Sequence, residues 1–408
     1  MNRIKIPLVI FSALAFAAIS AFSQFPNPPA PASSKKAPSN IDWPVFRGNQ
    51  GLTGAADGVL ADDFELAWTF TSGGEIGSAP IISRGTIFAA SADGKIYALS
   101  SEKGNKLWEF DTGAPLEASP LYFKDTVYAG NQKGILYALE AGTGKEKWKY
   151  SAEDKIAGSA NFAEVSEKLS LVFVGGYDNI MRALDADTGK EAWQYATQNY
   201  INGSPSISRD MLAFGGCDAN LRILKISDGK EIASIPMGSY IPSSVSFCDD
   251  NIYLGHYGGN LFSVSVTQNK IIWQFPKDSS VGPFMGSPAV SRDKVVIGGQ
   301  DSKIYSVSRA TGELLWTFDT KGEVKSSPVI FGGKVVAGSS DGRLYILNLD
   351  NGAKLWSYEI GSEVSGFAVT GEMIIATADK RVYAFKGSLA RSQNSKSEFR
   401  NPKQIENK

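Results

Sequence analysis

Between residues 64 and 386 the chain alternates short runs of Val, Ile, Leu, Tyr and Phe with polar turns. Nowhere in that span does an apolar period of 3.6 residues persist long enough to indicate a helix. One stretch shows the pattern: ASPLYF (118–123), VYAGNQ (127–132), ILYALE (135–140) and KEKWKY (145–150), separated by KD, QKG and GTGK turns. β-Branched and aromatic runs bounded by Gly, Asp and Lys predict four short strands.

The pattern repeats about every forty residues. Trp68, Trp108, Trp148, Trp193, Trp273, Trp316 and Trp356 mark it, and the long gap between 193 and 273 has Ala233 at its midpoint in the matching context GKEIAS. A second series runs ahead of the tryptophans: IYALS (96–100), LYALE (136–140), MRALD (181–185), LRILK (221–225), LFSVS (261–265), IYSVS (304–308), LYILN (344–348) and VYAFK (382–386). Such a period signals a repeat architecture. Four strands per repeat, eight times, predict an all-β, eight-bladed β-propeller of antiparallel blades; a stack of open solenoid coils is the alternative. FELAWTF (64–70) has no strands of its own before it, and the last unit, from about 362 to 385, stops after three. The N-terminal strand is therefore expected to complete the last blade, hiding an edge that would otherwise template aggregation.

The ends differ from the repeats. MNRIK carries two positive charges ahead of an apolar run from Ile6 to about Phe22, and Ala21-Phe22-Ser23 offers small residues where a signal peptidase reads. Residues 1–23 are thus expected to be a secretory signal, with an uncleaved anchor as the alternative. Residues 24–40 form a Pro/Ala/Ser linker, 41–387 the propeller and 388–408 a disordered polar tail. Export would place the protein in the periplasm or outside the cell, with no membrane span once the signal is removed.

Composition narrows the functional classes. Lys plus Arg number 41 against 42 Asp plus Glu, and no basic run interleaves with aromatics, so a nucleic-acid footprint is absent. The two cysteines, Cys217 and Cys248, fall at turns on opposite faces of the expected disc and should stay free, because a disulfide needs Cα atoms within about 7 Å.

ALDADTGKEAW (183–193) resembles the tryptophan-docking motif of the pyrroloquinoline-quinone (PQQ) repeat propellers at Ala183, Asp185, Thr188, Gly189, Lys190 and Trp193. The resemblance covers the whole repeat region, and WPVFRGNQGLTG (43–54) resembles the lead-in of many such propellers. It implies a girdle of tryptophans sandwiched between blades: Trp68, Trp108, Trp148, Trp193, Trp273, Trp316 and Trp356. The junction at Ala233 is then expected to be the weakest. The resemblance also implies two kinds of function. Quinoprotein dehydrogenases hold PQQ with a metal, usually calcium, and a carboxylate base. Non-catalytic members include BamB, the propeller subunit of the outer-membrane β-barrel assembly machinery.

This chain has no adjacent cysteine pair, no CxxCH haem site and a single histidine, His256. No motif carries over a catalytic Asp or a calcium ligand, so no cofactor, metal or catalytic residue is assigned, and PQQ with calcium has no residues to support it. The expected function is a monomeric, non-catalytic envelope scaffold that binds protein; a PQQ-dependent dehydrogenase and a carbohydrate binder are the alternatives.

Candidate contacts follow from the repeat. Asp93, Asp178, Asp218, Asp301, Asp341 and Asp379 recur at one turn, where Asp before Gly or Asn is ordinary turn chemistry. Loops from each outer strand to the next inner strand gather near the axis on one face. Blades 1 to 8 there carry Glu75, Pro115, Lys155, Tyr200, Tyr240, Phe284, Glu323 and Glu363, an aromatic arc opposite an acidic one. Tyr177, Tyr257, His256 and Gln300 lie at neighbouring turns. Tyr200, Tyr240 and Phe284, with Tyr177 and Tyr257, are the expected partner contacts, and Glu75, Glu323 and Glu363 the charged rim. The competing expectations are rings folded inward to plug the channel and glutamates that only serve the turns.

Overall fold

The computed structural model describes residues 42–388. The expected signal segment, the linker and the tail beyond 388 lie outside the described residues. Every regular element among the described residues is a β-strand. Blade 1 comprises Ile81–Ser83, Thr86–Ala90, Lys95–Ser100 and Lys106–Asp111, each strand antiparallel to the next. The arrangement recurs to give eight sheets, the expected eight-bladed propeller.

Burial explains why the strands read differently in sequence. Third strands such as KIYALS are buried at their four central positions because neighbouring blades cover both faces, so they are near-continuous apolar runs. Outer strands such as KLWEFD alternate exposed and half-buried residues, because one face meets solvent.

Blade 8 closes the ring as expected. Val364–Val369, Met373–Ala378 and Arg381–Gly387 are joined by the N-terminal strand Phe64–Thr71, in register from Phe64 opposite Gly387 to Thr71 opposite Arg381. The chain ends thereby cover each other's edge. Blade 7 has a fifth, short strand that the repeat did not reveal: Ala55–Ala56 pairs in parallel with Val329–Phe331.

The tryptophan girdle forms between blades. The indole Nε1 donates to a turn carbonyl of the following blade: Trp68 to Ser101 (3.1 Å), Trp108 to Ala141 (2.9 Å), Trp148 to Ala186 (3.0 Å), Trp193 to Ile226 (2.9 Å), Trp273 to Arg309 (3.0 Å) and Trp316 to Leu349 (2.9 Å). Each ring lies against that turn's glycine. At Gly229, with φ of 68°, a Cβ would sit 2.5 Å from Trp193, so both the conformation and the close approach require glycine. The exception at Ala233 comes with a second one. The turn of blade 5 that would face a tryptophan there has Asn269, at φ 50°, where the other turns have glycine. With no ring at position 233, a side chain fits. Trp356 faces the incomplete turn of blade 8 and packs instead edge-on to Phe64 and Phe385, at 5.9 and 5.8 Å.

Cys217 lies between Met211–Phe214 and Asn220–Lys225, Cys248 ends Ser246–Cys248, and both are free thiols.

Candidate functional site

One face of the channel is closed by a segment outside the repeat. Residues 43–56 run around the axis and bond the same position in the first strand of seven blades in turn. Trp43 bridges Ile82; the Pro44 carbonyl accepts from Tyr122 N–H (2.7 Å); Gln50 Nε2 donates to Phe162 O (2.8 Å). The carbonyls of Gln50, Gly51, Thr53 and Gly54 then accept from the N–H groups of Ile207, Phe247, Val290 and Ile330, each at 2.8 Å. The chain leaves past blade 8, where Ala61 N–H reaches Gly371 O, to become the closing strand. Uncommitted N–H and C=O groups of seven converging strands would otherwise be left unsatisfied at the hub; this segment pairs with each of the seven blades. The sequence showed it only as a lead-in, since a segment that meets each blade once leaves no periodic trace.

The other face is the mouth. The Tyr200 and Tyr240 carbonyls accept from the N–H groups of Cys217 and Tyr257, and the same bond in blade 6 joins Gln300 N–H to Pro283 O. Pro283, not Phe284, therefore occupies the blade 6 mouth position. Phe284 takes the place of Ile201 and Ile241 in the neighbouring blades and is fully buried, at 0% exposure. The expected arc of three exposed rings is therefore two tyrosines: the three-residue insertion in loop 276–287 brings Pro283 to the mouth position, and the sequence count to Phe284 is one residue too long.

The tyrosines are at the surface. Tyr200, Tyr240 and Tyr257 are 44%, 56% and 53% exposed, so they do not plug the channel. Tyr177 stacks on Tyr200 with centroids 4.6 Å apart, and Lys155 Nζ lies 4.2 Å from the Tyr177 ring centre. Burial of this ring raises the Tyr177 hydroxyl pKa. His256, at one of the neighbouring turns, is turned inward. It is buried against Phe262, its Nδ1 accepts from Asn260 N–H, and burial lowers its pKa. On the acidic side Lys325 Nζ lies 3.0 Å from Glu323 and 3.7 Å from Glu363, which leaves Glu75 without that compensation.

The recurring aspartates serve the turns. Asp93 accepts from Lys95 N–H (3.0 Å), from Gly73 N–H of the preceding loop (2.8 Å) and from the Tyr97 hydroxyl (2.5 Å); Asp341 repeats all three with Arg343, Lys321 and Tyr345. Asp178 and Asp218 instead hold the buried Arg182 and Arg222 at 2.5 and 2.6 Å. Among the described residues no three His, Cys, Asp or Glu side chains converge. The carboxylates of Asp93, Asp178, Asp218 and Asp341 are thus committed to hydrogen bonds and ion pairs within the blades.

The channel between mouth and hub encloses about 210 Å³ and is lined by small and hydroxyl side chains. Ser159 N–H donates to Ser204 Oγ (2.9 Å), Ser204 N–H to Ser244 Oγ (2.7 Å) and Ser287 N–H to Ser327 Oγ (2.9 Å), tying one blade to the next. These serines recur four residues after the mouth position, a spacing present in the sequence that composition and motif reading passed over. At the hub, Arg47 is 2% exposed, with Nη1 on Pro328 O (2.5 Å) and Nη2 on Pro288 O (2.7 Å). Burial holds its pKa down at about 9.

Comparison with known proteins matches this architecture. The profile of a family described as "Outer membrane protein assembly factor BamB" matches residues 53–168, 122–283 and 257–397. BamB from Moraxella catarrhalis superposes with a TM-score of 0.68 at 20% identity, covering 79% of this chain and 100% of that one. The quinohemoprotein alcohol dehydrogenase of Comamonas testosteroni gives 0.71 at 14% identity, covering 87% and 82%. The computationally designed protein Ika8 gives 0.71 at 17%, covering 80% and 100%. A sequence comparison with curated proteins finds no match. At these identities the likenesses speak for the fold alone.

Proposed function

The chain belongs to the BamB family of propellers, and from that premise we propose that it is an exported, non-catalytic scaffold that binds a protein partner in the bacterial cell envelope through the mouth of the channel. The observation that carries this reading is the cluster of exposed tyrosines on blades 4 and 5, Tyr200, Tyr240 and Tyr257, on the face that the hub segment leaves open. Exposed aromatics in adjacent repeats combine large contact area with little rotamer entropy to lose. No helix among the described residues is long and apolar enough to cross a membrane.

The test is site-specific photo-crosslinking in intact cells, with the probe at Tyr240 and, as control, at Lys103 on an outer turn. A discrete protein adduct at 240 and none at 103 is expected. Equal labelling at both sites, or a quinone absorbance that builds up on purified protein with PQQ and calcium, would overturn the scaffold reading. Glycan binding without a protein adduct would transfer the tyrosines to a carbohydrate role.

A further inference from the structure

Arg47 brings a full charge to the floor of the channel and leaves it uncompensated. Its two terminal nitrogens are held by the carbonyls of Pro288 and Pro328, while Nε is buried with no acceptor. Neutral carbonyls satisfy hydrogen bonds but do not cancel a charge taken out of water. The other charged side chains lining the cavity are already paired: Glu117 with Lys155 at 3.5 Å, and Lys325 with Glu323 at 3.0 Å. Among the described residues no carboxylate pairs with Arg47.

The wall adds donors of the same kind. Ser204, Ser244 and Ser327 use their oxygens to accept backbone N–H groups, which leaves each O–H to donate, and no acceptor among the described residues receives it. Ser78 Oγ, buried on the same wall, has no partner among the described residues. A cavity bordered by an unpaired cation and by hydroxyl hydrogens is complementary to a group with several acceptor oxygens and a negative charge.

We propose that the floor of the channel binds a small oxyanion, held by the Arg47 guanidinium and by the serine hydroxyls of the wall. The cavity volume of about 210 Å³ is enough for such an ion with part of its hydration. Access is from the mouth, since the hub segment seals the other end. The oxyanion is either a free ion or the terminal group of a chain entering by that route. The site does not depend on the scaffold reading.

The experiment is calorimetric titration of the purified full chain with inorganic phosphate, with chloride at matched ionic strength as control and a short peptide bearing a free C-terminal carboxylate as second ligand. Saturable phosphate binding is expected, weakened at least about tenfold by Arg47→Met, because hydrogen bonds to a charged group are lost. Peptide binding that competes with phosphate assigns the terminal-group source, and phosphate binding alone assigns the free ion. Should Arg47→Met fail to fold, wild-type crystals soaked in selenate decide, with an anomalous peak expected beside Arg47. No saturable binding of either ligand, unchanged binding by a folded Arg47→Met protein, or no peak at the floor overturns the site.

Discussion

The two faces of the disc are built on opposite principles. At the hub, one non-repeating segment touches the first strand of seven blades, each at the same position, and buries Trp43 and Arg47 almost completely. At the mouth the equivalent positions vary among Glu, Pro, Lys and Tyr, and the rings of Tyr200, Tyr240 and Tyr257 stand in solvent. A symmetric ring presents the same backbone groups from every blade, so one strand crossing the axis can satisfy them; the opposite face is then free to vary. Residues at the hub should therefore act on stability, and residues at the mouth on recognition.

The largest effect that would break this division comes from removing residues 1–71. Both the hub segment and the closing strand Phe64–Thr71 are lost, and an open blade edge with unpaired N–H and C=O groups invites intermolecular pairing. Loss of the soluble monomer is expected by size-exclusion chromatography; a soluble monomer with an unchanged melting temperature contradicts the closure. Next comes Gly54→Ala. Gly54 has φ of 59°, and a Cβ there would meet the Arg47 guanidinium at 2.0 Å, which is itself fixed by two carbonyls. A destabilisation of about 2 kcal/mol or more is expected from strain and displacement together, read by chemical denaturation.

At the mouth the order of effects reverses. Tyr200→Ala with Tyr240→Ala removes one stacked pair and two exposed rings, so stability should fall by about 1 kcal/mol or less while partner crosslinking falls sharply. Unfolding by this double change would mean that the tyrosines are structural after all. The smallest effect belongs to Glu323→Gln. Lys325 retains Glu363 as a partner, so stability should not change, and only the salt dependence of partner association should shift. A larger change in low-salt affinity than in salt dependence would show that Glu323 touches the partner directly.

Local repetition made most of the fold legible. The positions of Trp193 and Gly229, the turn use of Asp93 and Asp341, and the missing strand of the last blade all follow from comparing one unit with the next. The tyrosines were found the same way, by counting to an equivalent position, and the count failed only where loop 276–287 is longer. There Pro283 and Phe284 are adjacent in sequence but point to different environments, and only the shared carbonyl bond to Gln300 shows which is equivalent to Tyr240.

By itself the sequence determined the period, the blade count, the closing strand and the girdle, because each of these is read by comparing units that recur about every forty residues. Tertiary structure alone decided that Arg47 is buried, that serines of every repeat line a channel, and that residues 43–56 close its hub end. Those properties come from contacts made once, between a short segment and strands as much as 281 positions away, and a contact made once leaves no pattern along the chain.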